Sequence, residues 1–275
     1  MRALVGRRGL LAAVVAATLV AAAIVVLVVV TRRGGESSVS ERPKRVALPD
    51  GNLPDPVKPA FVPGKPVLLR SDEHVARWAP VRRAAAARAQ PSARAPVVAS
   101  LSTQTPEGTS NLVLVLEVAK DSDGQIWVRV RLPVLPNNST GWVPRSALGG
   151  YNFVRTRLVI DRERLTATLY DDGRPVFRAP VGVGQPNWPT PAGQFYIRNK
   201  LVKYSSPVYG PLAFGTSARS SILTDWPAGG YVGIHGTNEP DILPGRVSHG
   251  CIRLRNEDIL ELAKLMPVGT PLTIR

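Results

Sequence analysis

The chain has 275 residues and a formal net charge of +15, and its composition is 44% hydrophobic and 20% charged. This hydrophobic share excludes a wholly disordered chain, and the length favours two modest domains over one large one. The single cysteine, Cys251, excludes an intramolecular disulfide framework and a cysteine-rich zinc site.

The positive charge favours anionic partners such as acidic lipid or acidic wall polymers. It is spread along the chain without a long basic run, and aromatic residues make up only 6% of the sequence. A nucleic-acid-binding protein usually concentrates basic and aromatic residues on one face. We therefore expect no nucleic-acid partner.

The N-terminal region predicts a membrane anchor. Residues 10–30 carry no charge and only one polar side chain, Thr18, and about 20 apolar residues are enough to span a bilayer as a helix. A cleaved signal peptide has a shorter apolar region of about 7–15 residues, followed by a small-residue cleavage site. We therefore expect residues 1–9 to be a cytoplasmic tail and residues 10–30 an uncleaved single-pass anchor in the cell membrane, with the body of the chain on the cell-wall side.

The segment that follows, residues 31–66, is rich in proline and shows no apolar periodicity. This composition is typical of an extended, semi-rigid linker. Such a spacer would hold the remaining chain well above the membrane, which suits a protein that acts on a wall polymer.

The first folded block, residues 67–150, is predicted to be a small β domain. Residues 112–116 form a continuous apolar run that predicts a buried strand, and residues 121–124 carry a turn signal. From 126 to 132 every second residue is apolar, which predicts a half-buried strand. Residues 84–87 are expected to form a helical turn or a loop.

Two short motifs of this block carry a resemblance. The Gly-x-x-Trp-Val-x-Val stretch at 124–130 and the Gly-Trp-Val stretch at 141–143 resemble bacterial SH3-like barrels. We expect Trp127 and Trp142 to pack in the core of such a barrel rather than to serve as aromatic binding platforms.

The second block, residues 151–275, is predicted to be a mostly antiparallel β domain with one helix near its C-terminus. Strands are expected at 158–161, 165–170, 193–197 and 271–274. The helix is expected at 257–266, with Asn256 as its N-cap and a buried apolar face. Residues 204–230 show little periodicity and precede the candidate site, so they are expected to form either a lid over it or an ordinary long loop.

The candidate chemistry is concentrated near the end of this block, where His235 and His249 precede Cys251 closely. Residues 231–234 predict a strand that ends at His235, and the proline-containing segment after it can loop back and bring Cys251 beside this histidine. A neighbouring imidazolium lowers the pKa of a thiol and activates it as a nucleophile, and Gly250 lets backbone N–H groups approach an oxyanion. Taken alone, these residues also allow an inert buried cysteine or a zinc site with two histidines, one cysteine and a water.

The wider pattern resembles a known family. A histidine, a gap of 13 residues and then Ser-His-Gly-Cys-Ile-Arg is similar to the motif of the L,D-transpeptidase catalytic domain, also called the YkuD domain. The Val-Gly-Val-Gly stretch at 181–184, the Thr-Pro-Ala-Gly-Gln-Phe stretch at 190–195 and the C-terminal Val-Gly-Thr-Pro-Leu at 268–272 extend this resemblance over about 155–274. It favours an enzyme over the two rival readings, a zinc hydrolase and a non-catalytic wall-binding protein with a degenerate second domain.

The resemblance implies a β-sandwich catalytic domain and a role for each matched residue. Cys251 would be the nucleophile, and His235 would be the general base, oriented by the carbonyl of Gly236. Ser248 and His249 would shape the site, and the N–H groups of Gly250 and Cys251 would form the oxyanion hole.

Two further side chains are candidates for binding the substrate. Arg253 would either hold a substrate carboxylate or support the loop, and we favour loop support. Tyr231, like Tyr204 and Tyr209, is a candidate for an additional oxyanion hydroxyl, although a packing role is more typical of such residues.

The resemblance also implies the reaction. The substrate would be the peptide stem of peptidoglycan: Cys251 would attack the carbonyl of the diamino acid before the terminal D-Ala, and a thioester would form as D-Ala leaves. A second stem as acceptor would give a cross-link between two diamino acids, water would give an L,D-carboxypeptidase, and a protein lysine would give a protein-anchoring transferase. Carbapenems are expected to acylate Cys251, and no metal or other cofactor is expected.

Overall fold

The computed structural model describes the backbone of residues 67–68 and the full residues 74–202, 207–224 and 229–275. All of these belong to a single structural unit. The predicted tail, anchor and linker at 1–9, 10–30 and 31–66 lie outside the described residues. Within the described ranges, no helix is long and apolar enough to cross a membrane.

The described residues form eighteen strands and one α-helix. In chain order these are β1 (Val67–Leu68), β2 (Ala76–Pro80), β3 (Ala85–Arg88), β4 (Val97–Leu101), β5 (Leu112–Lys120), β6 (Ile126–Arg131), β7 (Thr140–Pro144), β8 (Asn152–Val154), β9 (Thr156–Asp161), β10 (Thr166–Asp171), β11 (Arg174–Pro180), β12 (Gly182–Gly184), β13 (Gly193–Val202), β14 (Leu212–Arg219), β15 (Tyr231–His235), β16 (Gly245–Ser248), β17 (Ile252–Arg253), α1 (Asn256–Leu265) and β18 (Pro271–Ile274). The prediction of a mainly β protein with one C-terminal helix is therefore confirmed.

The first sheet has the strand order β4-β3-β7-β6-β5-β2-β8, and β1 pairs with β5 outside this path. Every pair in it is antiparallel. The apolar run of β5 is buried on both faces, because alternate residues of a strand point to opposite sides of a sheet. Val113 and Val115 pack in the core of this sheet, whereas Leu112 and Leu114 pack against Tyr196 of β13. The predicted strand at 112–116 is thus confirmed, and no finding tests the SH3-like assignment, which stays a prediction.

The second sheet has the order β11-β10-β9-β18-β13-β14-β15-β17-β12-β16. Three of its pairs are parallel, namely β9 with β18, β12 with β16 and β15 with β17. The remaining pairs are antiparallel. The parallel pairing of β15 with β17 matters most for function, because it aligns the end of one strand with the start of another that follows Cys251.

Hydrogen bonds tie the first sheet to the second. The Tyr196 hydroxyl donates to the carbonyl of Leu112 over 3.1 Å. The amide side chain of Asn137 bonds both backbone polar groups of Arg219, since Nδ2 donates to its carbonyl and Oδ1 accepts from its N–H. Because Arg219 ends β14, the loop between β6 and β7 directly supports a strand beside the candidate site.

Several local predictions need correction. Residues 85–88 form strand β3, not a helical turn or loop, because they pair with β4 and β7. The strand at 126–131 is confirmed, but Ile126 is exposed and its neighbour Trp127 is 1% exposed. Trp127 packs with Ala119 and Trp142 on the second face of the sheet, as predicted for both tryptophans, and its Nε1 donates to Asp121.

Two predictions about the second block also change. Within 204–230, the described residues include β14, whose residues 212–218 are all buried, so this segment is not a long structureless loop. Its polar members are satisfied internally: Thr216 donates to the carbonyl of Val232 over 2.6 Å. Asn256 is not the N-cap of α1 but its first helical residue; the cap is Arg255, which makes no side-chain capping bond.

Candidate active site

The candidate site lies where β15 ends and β17 begins. In the parallel register of these strands Ile234 is opposite Ile252 and His235 is opposite Arg253. His235, Ser248, His249, Gly250, Cys251 and Arg253 all line one cavity of about 260 Å³. The structure therefore brings together the residues that the sequence motif singled out.

His235 is held in one orientation by its own backbone. Its side chain is buried, and Nδ1 lies 2.6 Å from the carbonyl oxygen of Gly236. A carbonyl oxygen only accepts, so Nδ1 carries the hydrogen and Nε2 is left with a lone pair when the ring is neutral. Burial lowers the pKa of His235 to about 4, partly offset by the bond to Gly236, so the ring is neutral at pH 7.

Cys251 is partly accessible, and its Sγ accepts a hydrogen bond of 3.4 Å from the N–H of Gly233. Burial raises the pKa of the thiol, although the Gly233 bond acts in the opposite direction. A Cβ placed on Gly233 would lie 3.8 Å from both Sγ and Cδ2 of His235, so the sulfur and the imidazole flank the same face of this glycine. The sequence argument expected an imidazolium that lowers the thiol pKa; in the structure both partners are neutral at rest, because both are desolvated.

A tight turn presents the nucleophile. The Ser248 hydroxyl donates to the carbonyl of Cys251 over 2.5 Å and accepts from the N–H of Gly250 over 3.1 Å. Gly250 has a φ of 114°, a left-handed conformation that favours glycine. The N–H of Gly250 was predicted to be an oxyanion donor; in this turn it donates to the Ser248 hydroxyl, and its role toward an oxyanion stays a prediction.

Thr190, which lies in the loop between β12 and β13, supports this turn. Its hydroxyl donates to the carbonyl of Gly250 over 2.8 Å and accepts from the N–H of Gly184 over 2.8 Å, and the side chain is buried. Sequence reasoning placed Thr190 in a matching motif but gave it no role. Its place in the Thr-Pro-Ala-Gly stretch was the only available signal.

Asn256 supports the histidine side of the site in a similar way. Its Oδ1 accepts a hydrogen bond of 3.0 Å from the N–H of Thr237. A Cβ placed on Gly236 would lie 2.3 Å from the same oxygen, so the residue whose carbonyl orients His235 has its Cα packed closely against this side chain. The sequence analysis missed this role and assigned the residue to helix capping.

Aromatic and charged side chains form the rim. His249 is exposed, and its ring lies 4.4 Å from that of Trp188, centroid to centroid. Tyr209 meets His235 edge to face at 4.7 Å. Arg253 pairs with Glu239 of the intervening loop over 3.3 Å, which agrees with the expected loop support.

Tyr231 lines the cavity, but its hydroxyl donates to the carbonyl of Pro133 over 3.0 Å. Its ring lies between the guanidinium groups of Arg198 and Arg219, which are 3.8 Å and 5.0 Å from its centroid. This arrangement corresponds to packing rather than to an oxyanion donor. Tyr204, the other tyrosine considered with Tyr209, lies outside the described residues.

The described ranges contain no group of three or more His, Cys, Asp or Glu side chains that could hold a metal ion. In the candidate site His235 Nδ1 lies 2.6 Å from a carbonyl oxygen, and the ring of His249 is tilted by 42° against that of Trp188.

Comparison with known proteins agrees with the motif. Residues 155–274 match the family model of the L,D-transpeptidase catalytic domain, YkuD. The YkuD protein of Bacillus licheniformis is 35% identical over 118 residues, covering 43% of this chain and 64% of that protein. The YkuD protein of Bacillus subtilis is 37% identical over 109 residues, covering 40% of this chain and 59% of that protein.

A solved structure is similar to a part of the chain of comparable length. The NMR structure of the catalytic domain of an Enterococcus faecium L,D-transpeptidase is 28% identical and covers 44% of this chain and 96% of that one, with a TM-score of 0.33. The chain spans less than two thirds of the two curated relatives named above. By the family model and these relatives, residues 155–274 are similar to L,D-transpeptidase catalytic domains of the YkuD family.

Proposed function

We propose that the protein is a cysteine-dependent L,D-transpeptidase that acts on peptidoglycan stem peptides, with Cys251 as nucleophile and His235 as general base. The observation that carries this proposal is the bond between His235 Nδ1 and the carbonyl of Gly236. It directs a basic Nε2 away from that carbonyl in the cavity that also contains the Cys251 thiol. A nucleophile beside an oriented base is the arrangement that acyl transfer needs.

The first step forms the acyl-enzyme. The thiol proton moves to Nε2 of His235 as Sγ attacks the carbonyl of the diamino acid that precedes the terminal D-Ala. The amide C–N bond then breaks, and the imidazolium returns the proton to the departing amine of D-Ala. A thioester between Cys251 and the stem remains.

Since both groups are neutral at rest, proton transfer accompanies the attack. The low pKa of His235 makes its imidazolium a strong acid, which suits delivery of a proton to the leaving amine. With the N–H of Gly250 engaged by Ser248, the N–H of Cys251 is the predicted donor to the developing oxyanion.

The second step resolves the thioester. The side-chain amine of a second stem gives up a proton to Nε2 and attacks the thioester carbonyl. The C–S bond breaks, Sγ recovers a proton, and a cross-link between two diamino acids is formed. Water in place of the amine would give an L,D-carboxypeptidase, and a protein lysine would give a protein-to-wall transferase.

The rim supplies the features that would meet the substrate. The ring of His249 lines the cavity and lies 4.4 Å from that of Trp188, at a tilt of 42°. Arg253, whose side chain is 13% exposed, also lines the cavity, and its guanidinium forms an ion pair with Glu239. We propose that this pair holds the loop between His235 and His249 in place.

The proposed location follows from the N-terminal sequence. A single-pass anchor at 10–30 and a linker at 31–66 would place residues 67–150 and the catalytic domain at 151–275 on the wall side of the cell membrane. The substrate implied by the catalytic domain is found there.

A carbapenem tests the proposed nucleophile. The full chain is incubated with the inhibitor and its intact mass is compared with that of Cys251→Ala. One covalent adduct in the parent and none in the variant would support an activated Cys251. A folded parent without an adduct, or an adduct that persists in Cys251→Ala, would contradict it.

A further inference from the structure

A second cavity, of about 530 Å³, lies between the two sheets. Strands β2, β5, β6 and β7 contribute one wall, and β9, β10, β13 and β18 contribute the other. We call it the intersheet cleft. It shares no lining residue with the Cys251 cavity, and its volume is in the range of about 300–1,000 Å³ at which proteins bind small ligands.

Arginines dominate the polar lining of the intersheet cleft. Arg77, Arg129 and Arg131 reach it from the first sheet, and Arg155 and Arg157 reach it from the start of the catalytic domain. Among the lining residues that the structure describes, the only carboxylate is that of Glu117. The lining therefore carries a marked excess of positive charge.

Two of these arginines are paired. Nη1 of Arg129 lies 3.0 Å from Oε1 of Glu117, and Nη1 of Arg155 lies 3.1 Å from Oδ1 of Asp172. Their charges are thereby largely compensated. They shape the cleft but are not the main source of its positive potential.

Arg131 and Arg157 are different. Within the described ranges neither forms an ion pair. Arg131 donates from Nη1 to the carbonyl of Asn138 over 3.2 Å, while its Nε is buried and has no hydrogen-bond partner among the described residues. Arg157 lies over the ring of Tyr170, with Cζ 5.6 Å from the centroid.

A buried N–H without an acceptor is unfavourable and is rare in folded proteins. Burial also lowers the pKa of Arg131; Tyr196 acts in the opposite direction, and the charge of Arg129 acts in the same direction as burial. The cleft thus desolvates a guanidinium group and leaves one of its donors unused. A bound anion would relieve both conditions.

We propose that the intersheet cleft binds a phosphate-bearing anion, with Arg131 and Arg157 as its principal contacts. The guanidinium group offers a fork of N–H donors that matches phosphate oxygens. A phosphate brings up to two negative charges and three acceptor oxygens, more than a carboxylate brings. A compact ligand with several phosphates therefore suits a cleft with guanidinium groups on both walls.

Binding of inorganic tripolyphosphate to the full chain, measured by titration calorimetry at fixed ionic strength, tests the proposal. We expect saturable binding at one site. The double variant Arg131→Gln/Arg157→Gln should weaken the affinity at least about tenfold, since it removes both of the principal charged hydrogen-bond donors. Arg157→Gln alone, at a partly exposed position, should weaken it at least about threefold and serves if the double variant unfolds.

The matched control is Arg174→Gln/Arg178→Gln, which removes the same charge from two exposed positions of β11. Its affinity should stay within about twofold of the parent, as the site is elsewhere. Equal losses in both double variants would show attraction to net charge alone and would overturn the proposal. Citrate binding as tightly as tripolyphosphate would overturn the choice of phosphate, and the absence of saturable binding would overturn the site.

Discussion

The hydroxyl of Thr190 donates a hydrogen bond of 2.8 Å to the carbonyl of Gly250, the residue immediately before Cys251. The same hydroxyl accepts from Gly184 at the end of β12, so one buried oxygen joins a strand to the turn that carries the nucleophile. A Cβ on Gly184 would lie 2.1 Å from the carbonyl oxygen of Trp188, which shows how closely these segments pack. The position of the thiol is therefore fixed by contacts far away in sequence.

Replacing Thr190 by valine keeps the shape of the side chain and removes both bonds. The two backbone groups would lose their partner in a buried place, at a cost of about 1–3 kcal/mol each. We expect a lower melting temperature and at least about tenfold slower carbapenem acylation, because the turn is held less firmly. Thr190→Ser keeps the hydroxyl and should retain most of the rate; equal slowing in both variants would assign the effect to packing.

Asn256 should matter through His235. Removing Oδ1 in Asn256→Ala frees the N–H of Thr237 and loosens the neighbouring Gly236 carbonyl, so we expect about tenfold slower acylation. The hydrogen-bonded Nδ1 proton of His235 should also shift or broaden in the proton NMR spectrum. Asn256→Asp keeps the acceptor and should restore both readouts. An unchanged His235 signal in Asn256→Ala would refute this connection.

The pH dependence of the reactivity of Cys251 should be that of a thiol that is neutral at pH 7. Since burial raises its pKa and His235 is uncharged, alkylation by iodoacetamide should rise with pH only in the alkaline range, above the usual range of a cysteine. A preformed thiolate–imidazolium pair would instead give a plateau of high reactivity through neutral pH. Rates measured from pH 4 to 10, with Cys251→Ala as the blank, distinguish the two cases.

The same histidine should make stability depend on pH. The pKa of His235 is about 4 in the folded state, against an ordinary value of 6.5 for a histidine side chain. Between these values the unfolded chain binds a proton that the folded chain does not, so the stability contribution is fully present above pH 6.5 and is lost as the pH falls towards 4. The loss amounts to roughly 3 kcal/mol.

Urea unfolding of the parent and of His235→Gln from pH 4 to 7 measures this loss. The variant lacks the titrating ring, so its curve should be flatter than that of the parent across this range. Parallel curves would mean that His235 is readily protonated in the folded protein.

The buried ion pair between Arg198 and Glu107 should lock the two sheets together. Nη2 and Oε2 are 2.7 Å apart, and the arginine side chain is 1% exposed. Glu107→Ala leaves that charge buried and uncompensated, which costs about 3–5 kcal/mol. The double variant Glu107→Ala/Arg198→Met should be more stable than Glu107→Ala alone, as measured by urea unfolding.

The exposed pair of Arg155 and Asp172 provides the comparison, because both side chains are more than half exposed. Arg155→Ala should change stability by less than about 1 kcal/mol. If the double variant Glu107→Ala/Arg198→Met were less stable than Glu107→Ala, the unpaired charge of Arg198 would not be the main cause of the stability lost in Glu107→Ala.

The sequence was sufficient for those parts of the site that lie close together in the chain. His235 and Cys251 belong to a motif whose residues lie close together in the sequence. One strand ends at His235 and another begins directly after Cys251, so the two residues become neighbours when the loop between them folds back. The roles of Thr190 and Asn256 depend on contacts across 60 and 19 positions, which no local pattern encodes. The bond from the Gly250 N–H to Ser248 depends on the backbone angles of a single turn, which the motif does not encode.

The fold shows the same limit. Alanines at 85–87 favour helix in isolation, and only pairing with β4 makes them a strand. The buried strand at 212–219 is not recognisable from its sequence, because Thr216 and Ser217 interrupt its apolar pattern. Both residues are nevertheless buried, since their hydroxyls are hydrogen-bonded inside the sheet. Periodicity therefore identified the strands that are uniformly apolar or regularly alternating and missed those whose polar residues are satisfied internally.

The most direct test of the central claim is the intact mass of the full chain after rapid mixing with a tetrapeptide stem that ends in D-Ala. The account predicts a transient adduct equal to the stem without D-Ala, lost on treatment with hydroxylamine and absent in Cys251→Ala. In His235→Gln the adduct should form at least about a hundredfold more slowly, as expected when a general base is removed. Release of D-Ala by Cys251→Ala, or an unchanged rate in His235→Gln, would contradict the assignment of these two residues.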